Sequence, residues 1–259
     1  MIDWKKYADY IFCIHYLPNN RLEKISKTLT DIGIDINDNK FFSFMYDIEH
    51  KMFLNEYNAM RNRSWDIIEK ECQWPHDYNQ INDNHLFNLA LMNYNILKIA
   101  QHFKYERIII FEDDIIFLKD HNYIIKALDF VNTQDFDICS CETSFQDCFH
   151  GISDYLININ GCEYLGNDMF LKTSNNLGVY NASFLILTNK GINKIIDFFE
   201  TNNVLICLDA LEGLRHKLNL EFMFALKPLC IQEYMLDTVN HDNINKKDSN
   251  INRILDEYE

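Results

Sequence analysis

Apolar and polar residues follow one another along the chain in blocks that predict strands and helices in turn. Residues 10–17 form a continuous apolar run, as expected of a strand buried on both faces of a sheet. A second run at 41–46 predicts the next strand. Between them, apolar residues recur at helical spacing ahead of Gly33, a typical helix stop. They are Leu22, Ile25, Leu29 and Ile32. This strand–helix–strand opening indicates a doubly wound sheet.

The middle of the chain contains the strongest strand signal, and that strand ends in three acids. Residues 84–103 are rich in apolar side chains without a helix breaker, which predicts a long, mostly buried helix. Residues 107–111 predict a strand that runs directly into Glu112–Asp114, and apolar residues resume at 115–117. The acidic triplet therefore interrupts an apolar stretch instead of lying in a polar loop.

The second half of the chain continues this alternation around one irregular segment. A helix is predicted from about Asp120 to Val131, and a strand at 136–139. Residues 142–178 lack a clear period and are interpreted as an insertion. Residues 183–187 predict a strand, after which Thr188 is expected to cap a helix. The apolar face of that helix consists of Ile192, Ile195, Ile196 and Phe199.

The last predicted strand is followed by a polar segment. Residues 222–231 contain the strand, which Pro228 interrupts. Residues 237–259 are polar and rich in Asn, so we expect them to be loosely held. No linker or internal repeat divides the rest. Residues 1–236 are therefore predicted to form a single α/β domain with an open, mostly parallel, twisted sheet flanked by helices.

Charge and composition narrow the possible classes of function. The chain has a formal net charge of −15, which argues against nucleic-acid binding because that needs clustered Lys and Arg. An acidic enzyme can still bind an anionic nucleotide if a divalent cation reverses the local field. The sequence contains no apolar stretch of membrane-spanning length and does not open with a secretory signal. We therefore expect the protein in the cytoplasm, either free or at the cytoplasmic face of a membrane.

Glu112–Asp114 is the most informative polar feature. Adjacent carboxylates repel one another, and each requires solvent or a cation. Because side chains alternate along an extended chain, Glu112 and Asp114 are expected to point to one side and Asp113 to the other. Two carboxylates at the carboxyl end of a central strand suit Mn²⁺ or Mg²⁺. A solvated acidic turn that pairs with a nearby basic residue is the alternative.

The chemistry that such a site serves is displacement of a nucleoside diphosphate. The metal ion bridges the two phosphates and neutralises the charge that builds on the leaving group. A further carboxylate, elsewhere in the fold, must remove the proton from the accepting hydroxyl.

Several segments resemble family 25 glycosyltransferases, which include bacterial enzymes that build lipooligosaccharide and the collagen galactosyltransferases. Phe111–Phe117 (FEDDIIF) resembles the family's LEDDvif block and is the most specific piece. Ile11–Pro18, followed by Arg21, is similar to its first strand and arginine-bearing turn. Tyr180–Gly191 resembles its tyaYlis.kGa strand and helix, and Asp209 falls where the family has its pvD acid. The resemblance is in order from near the start to about Ile231.

The resemblance implies a GT-A fold, a divalent metal and transfer with inversion at the sugar carbon. It implies a nucleotide-sugar donor, such as UDP-galactose, and a glycan or protein acceptor. The family usually has Asn where His15 stands, and its Gly-Cys and Ser-His features before the long helix are missing here. The chain therefore resembles a divergent member, and the donor sugar stays open.

Combining the residues with the resemblance gives a set of candidate site positions. The candidate metal ligands are Glu112, Asp114 and His241. The candidates for binding the nucleotide-sugar are His15, Arg21, Glu112 and Asp113. The simpler roles that remain open are surface charge for Arg21 and a solvated tail position for His241.

The catalytic base or acceptor-binding acid is expected later in the chain. Asp209 ends an apolar run and opens a predicted helix, with Glu212 one turn further on as the second candidate. A helix cap is the simpler role for Asp209.

Two other classes of function compete with a glycosyltransferase. One is a different metal-dependent nucleotide enzyme, such as a nucleotidyltransferase, and the other is a non-catalytic nucleotide-sugar-binding protein of the same fold. Nucleotidyltransferases usually open with a Gly-rich, basic phosphate loop after the first strand. Residues 18–21 contain no glycine, which counts against that class.

Overall fold

The computed structural model describes residues 1–16, 21–47, 84–142, 144–145, 162–167, 169–173, 179–180 and 183–232, together with residues 60–70 except 61, 65 and 69. The helices with defined bounds are α1 (Leu22–Asp31), α2 (Asn84–Phe103), α3 (His121–Val131), α4 (Asn189–Asn202) and α5 (Leu211–Leu218). Single 3₁₀ turns lie at Trp4–Lys6 and Leu208–Ala210. The strands are β1 (Tyr10–Tyr16), β2 (Phe42–Asp47), β3 (Arg107–Glu112), β4 (Ile115–Phe117), β5 (Ile138–Ser140), β6 (Ser144–Phe145), β7 (Cys162–Leu165), β8 (Phe170–Thr173), β9 (Val179–Tyr180), β10 (Phe184–Thr188), β11 (Phe222–Ala225) and β12 (Cys230–Gln232).

Eight of these strands form one mixed sheet in the order β2-β1-β3-β10-β5-β11-β8-β7. The pairs β1–β2, β1–β3 and β5–β11 are parallel. Strands β10 and β8 run antiparallel to both of their neighbours. The other six strands therefore share one direction, so the predicted α/β class with a mostly parallel sheet is confirmed. The two reversed strands were not predicted.

The sheet is buried on both faces, as the apolar runs predict. Along β3, Ile108 and Ile110 belong to one hydrophobic cluster, which also holds residues of α2, α4 and α5. The alternate residues Ile109 and Phe111 belong to a second cluster, which holds residues of α1 and α3. Burying each such side chain contributes about 1.5–3 kcal/mol. None of the helices that the structure describes combines the length and the apolar character needed to cross a membrane.

Two helix boundaries that the sequence predicted, the end of α1 and the start of α4, are found in the structure. The backbone after α1 turns at Gly33, which has a positive φ of 99° and donates its N–H to the carbonyl of Thr30. The hydroxyl of Thr188 accepts from the backbone N–H of Gly191 at 3.3 Å, so the predicted cap of α4 is confirmed.

The structure adds detail to two predictions about the second half. The segment 142–178, interpreted as an insertion, contains β7 and β8, which extend the edge of the main sheet. The interruption predicted at Pro228 is confirmed, and it divides the strand predicted within 222–231 into β11 and β12. β11 joins the main sheet, whereas β12 pairs antiparallel with β4, with Gln232 opposite Ile115. Residues 237–259, predicted as a polar tail, lie outside the described residues.

Candidate functional site

The topology of the sheet brings four separate segments to one edge. β1, β3 and β5 run in the same direction, so their carboxyl ends meet at this edge. β1 ends with His15 and Tyr16, β3 ends with the first acid of the triplet, and Glu142 follows the end of β5 by two residues. β10 runs the opposite way, so the residue before it, Ser183, stands at the same edge. Its carbonyl accepts from the backbone N–H of Glu112 at 3.0 Å. Polar side chains that are distant in sequence are therefore neighbours.

The acidic triplet does not continue as an extended strand. β3 ends at Glu112, and Asp113 and Asp114 form a turn before β4 begins. The expected alternation, with Asp113 pointing away from Asp114, is therefore wrong. Nη1 of Arg21 lies 3.3 Å from Oδ1 of Asp113 and 3.2 Å from Oδ2 of Asp114, so one guanidinium serves both carboxylates.

Asp113 is held by the other predicted nucleotide-binding residues. Oδ2 of Asp113 lies 2.6 Å from Nδ1 of His15, and the two side chains are only 7% and 3% exposed. The rings of Phe44 and Tyr46, from β2, meet the imidazole edge to face. A buried carboxylate needs such partners to remain charged. His15, Arg21 and Asp113 thus form one cluster, as their predicted common role requires.

Glu112 is oriented by a different set of partners. Its Oε2 accepts from Oγ of Ser183 at 3.2 Å and from Nε2 of Gln232 at 2.7 Å. The backbone N–H of Gln232 in turn donates to Oε1 of Glu142 at 3.1 Å. Gln232 and Glu142 are both buried. The β12–β4 pairing therefore places Gln232 as a bridge between the two acids.

Four carboxyl groups interact at this edge: those of Glu112, Asp114, Glu142 and Asp209. Burial, followed by the negative charges of Asp209, Asp114 and Glu142, holds the pKa of Glu112 well above its usual range. Burial is also the main cause that raises the pKa of Glu142 to about 8, and the charges of Asp114 and Asp209 add to it. The acids of this cluster therefore disfavour one another's charged forms.

This donor set suits a hard divalent cation by its chemistry, because clustered carboxylate oxygens are the ligands that Mn²⁺ and Mg²⁺ prefer. Among the described residues, no group of three or more His, Cys, Asp or Glu side chains converges closely enough to hold a metal ion. A cation at Glu112 and Asp114 therefore needs further ligands, such as water or phosphate oxygens. The third predicted ligand, His241, lies outside the described residues.

Asp209 reaches the site from the 3₁₀ turn that precedes α5. The capping positions of the turn and of α5 are Cys207 and Ala210, and neither side chain forms a capping hydrogen bond. Asp209 itself occupies neither of these capping positions, and its charge acts on Glu112 and Glu142. Its simpler role as a helix cap stays the alternative. The backbone of Glu212 belongs to α5, but its side chain lies outside what the structure describes.

Three residues of the site were not among the predicted ones: Glu142, Ser183 and Gln232. The sequence carries one usable signal for them, which is position relative to a strand end. Glu142 follows β5 by two residues, and Ser183 directly precedes β10. Gln232 ends β12 but reaches Glu112 only through the pairing of β12 with β4.

No protein-family model matches the chain, and no curated protein matches it either. The resemblance to family 25 glycosyltransferases therefore rests on the sequence segments quoted above.

Proposed function

We propose that this protein is a metal-dependent, inverting glycosyltransferase, which moves a hexose from a UDP-linked nucleotide-sugar to a hydroxyl of a glycan or protein. The observation that carries the proposal is the cluster of four interacting carboxyl groups at the carboxyl edge of the sheet. Open α/β sheets bind their ligands at that edge. The mixed, mostly parallel sheet between two layers of helices supports the GT-A fold that the resemblance implies.

In this proposal Glu112 and Asp114 hold the cation, with His241 as a further ligand. A bound Mn²⁺ or Mg²⁺ supplies neutralisation of the charge that develops on the departing nucleoside diphosphate. Ser183 and Gln232 keep the carboxylate of Glu112 in one orientation through two hydrogen bonds. Such fixed orientation matters because positioned charges need no rearrangement during the reaction.

The cluster of Asp113, His15 and Arg21 binds the donor in this proposal. The guanidinium of Arg21 places a positive charge beside the acids, where a diphosphate needs one. The carboxylate of Asp113, fixed by His15, retains acceptor capacity for ribose hydroxyls, because each carboxylate oxygen accepts more than one hydrogen bond.

Asp209 takes the proton from the acceptor hydroxyl as its oxygen attacks the sugar carbon. It belongs to another element than the cation ligands, which lets it face the sugar from a different direction. Glu212, on the next turn, is the second candidate for this role.

The test measures donor turnover and nucleotide binding in the presence of manganese and in chelator. Wild-type protein should release UDP from a UDP-sugar only with the cation. Asp114→Ala should weaken cation-dependent nucleotide binding at least about tenfold, as changes around metal ligands do, and keep its melting temperature. Asp31→Ala, at an exposed acid on α1, is the matched control.

The same experiment separates the competing functions. Release of pyrophosphate instead of UDP would indicate a nucleotidyltransferase. Cation-dependent binding without any turnover would indicate a non-catalytic binding protein. Full transfer activity in Asp114→Ala would contradict the assignment of the metal site.

A further inference from the structure

A polar cavity lies at the opposite edge of the sheet from the acids. It has a volume of about 430 Å³ and is lined by the N-terminal segment, the start of β3, the residues after α3 and the start of α4. Arg107 opens β3 and Glu112 ends it, so the two sites are separated by the length of that strand. Five steps of about 3.3 Å each put them roughly 17 Å apart.

The lining of this cavity carries four basic and three acidic side chains. Its lining includes the basic residues Lys5, Lys6, Arg107 and Lys190 and the acidic residues Asp9, Glu106 and Asp135. One of the acids is already engaged, because Oδ2 of Asp9 accepts from the backbone N–H groups of Glu106 and Arg107 at 2.7 and 3.0 Å. On a protein with a net charge of −15, an anion is attracted to a basic side chain whose charge is not already paired with an acid.

Arg107 differs from the other three cations. Lys5 pairs with Asp38 at 2.8 Å, Lys6 pairs with Asp129, and Lys190 lies 3.3 Å from Glu221. Within the described part of the chain, the side chain of Arg107 has no carboxylate partner at salt-bridge distance. It is therefore the cation whose charge is still available to a ligand.

The guanidinium of Arg107 is also fixed in place. It lies over the ring of Phe136, 5.3 Å from the centroid, and Nη1 donates to Oδ1 of Asn132. Its remaining N–H groups make no hydrogen bond to the residues that the structure describes. Burial lowers the pKa of Arg107 because it disfavours the charged form, and the negative charge of Asp9 acts in the opposite direction without cancelling this effect. A planar fork held in this way matches the two oxygens of a phosphate or carboxylate.

We infer that this cavity is a binding site for a small molecule bearing an oxyanion, phosphate or carboxylate, with Arg107 as the anchor. Its volume lies in the range of roughly 300–1,000 Å³ that is typical of small-molecule sites. The site shares no residue with the acidic edge, so the inference is independent of the proposed glycosyl transfer.

Nuclear magnetic resonance of the full chain tests this inference with inorganic phosphate and acetate as probes, at ionic strength held constant with chloride. The backbone amides of Asn132 and Lys190 should shift saturably with at least one of the two anions. Phosphate alone indicates a phosphorylated ligand, and acetate indicates a carboxylate. Arg107→Gln should weaken the binding at least about tenfold, as loss of a charge-assisted hydrogen bond does. Lys27→Gln, whose side chain is 79% exposed on α1, should leave it unchanged.

A second variant keeps the test decisive if Arg107→Gln folds poorly. Asn132→Asp retains Arg107 but offers it an internal carboxylate, which should compete with the anion and weaken its binding to a similar degree. The inference is overturned if neither anion shifts these amides saturably, or if either pocket variant binds as the wild type does. Asp114→Ala should retain the anion shifts, so the failure of one proposal leaves the other intact.

Discussion

In the proposed reaction the acceptor proton is removed by Asp209, which lies in the turn before α5 and so on a different element from the proposed cation ligands Glu112 and Asp114. Positioned general-base catalysis contributes typically ~10²–10⁴-fold. Asp209→Asn should therefore lower kcat by a factor in that range and leave donor binding nearly intact. Steady-state kinetics and a nucleotide titration measure the two effects separately. Because Asn matches Asp in size and caps a helix about as well, the variant should keep its melting temperature.

Glu212 supplies the contrast for this prediction. If Asp209→Asn is fully active and Glu212→Gln is inactive, the base is Glu212 and the preferred assignment is wrong.

The raised pKa of Glu142 predicts how the free energy of unfolding depends on pH. Its pKa rises from an ordinary 4.5 to about 8 in the folded protein, mainly through burial. Between these values the folded state holds more protons than the unfolded state, so this group's contribution to stability falls as pH rises. Glu142→Gln removes that loss and keeps an oxygen for the N–H of Gln232. At pH 8 the variant should be more stable by on the order of a few kcal/mol, and at pH 4.5 it should equal the wild type.

Urea unfolding in chelator at the two pH values measures this difference. Glu163→Gln, at an exposed position on β7, is the control and should not change the pH dependence. A Glu142→Gln variant that follows the wild-type pH profile would contradict the prediction.

At the scale of elements, the junction between β5 and α4 depends on a close backbone approach. A Cβ on Gly191 would stand 2.4 Å from the carbonyl oxygen of Asp137. That carbonyl cannot easily yield, because it accepts from the N–H of Thr188 while the buried Asp137 carboxylate binds Lys194 at 2.6 Å. Gly191→Ala should therefore lower the free energy of unfolding by about 1–3 kcal/mol, as overpacking does.

The direction of the change in the free energy of unfolding distinguishes a close backbone approach from an ordinary helix position. In an ordinary helix position, Gly→Ala stabilises by up to about 1 kcal/mol. Asp197→Ala, at an exposed position of the same helix, should be neutral or slightly stabilising in the same chemical denaturation experiment. A stabilised Gly191→Ala protein would show that the two elements approach less closely than described.

Periodicity predicted the elements well where one pattern governed the whole segment. The apolar run before Glu112 and the spaced apolar residues after Thr188 became β3 and α4, since burial alone decided their form. Pairing was not predictable in the same way. Nothing in residues 184–188 indicates that β10 runs antiparallel between β3 and β5, because strand direction depends on the connections that precede it.

At the scale of the whole molecule, net charge determines how an anionic donor can bind. Without a cation, a protein with a net charge of −15 should repel a diphosphate at its acidic edge. A uridine nucleotide should therefore stabilise the protein only when a divalent cation is present. At 100 times its Kd, the gain is about 2.7 kcal/mol. Thermal unfolding with manganese and with chelator measures it, and equal stabilisation in both would count against the metal site.

The candidate site was predictable where its members follow strands in sequence. Asp113 directly follows β3 and His15 is the second-last residue of β1, both strands that the apolar pattern identified, and the structure brings the two side chains to 2.6 Å. Glu142 was missed because the segment after β5 has no period, although the shared direction of β3 and β5 implies its place. The contact of Gln232 with Glu112 was beyond prediction, since it depends on a two-stranded pairing with residues more than a hundred positions earlier.

The pairing of β12 with β4 also determines how late in synthesis the acidic edge can be completed. Gln232 follows Glu112 by 120 residues, which is about 6–24 s of synthesis at ~5–20 residues per second. For that interval the nascent chain carries its acids without the amide that orients them. Gln232 is therefore the last described residue of the acidic edge to be synthesised. A partly translated chain lacks the hydrogen bond from Gln232 to Glu112, so its acidic edge is incomplete until β12 has left the exit tunnel.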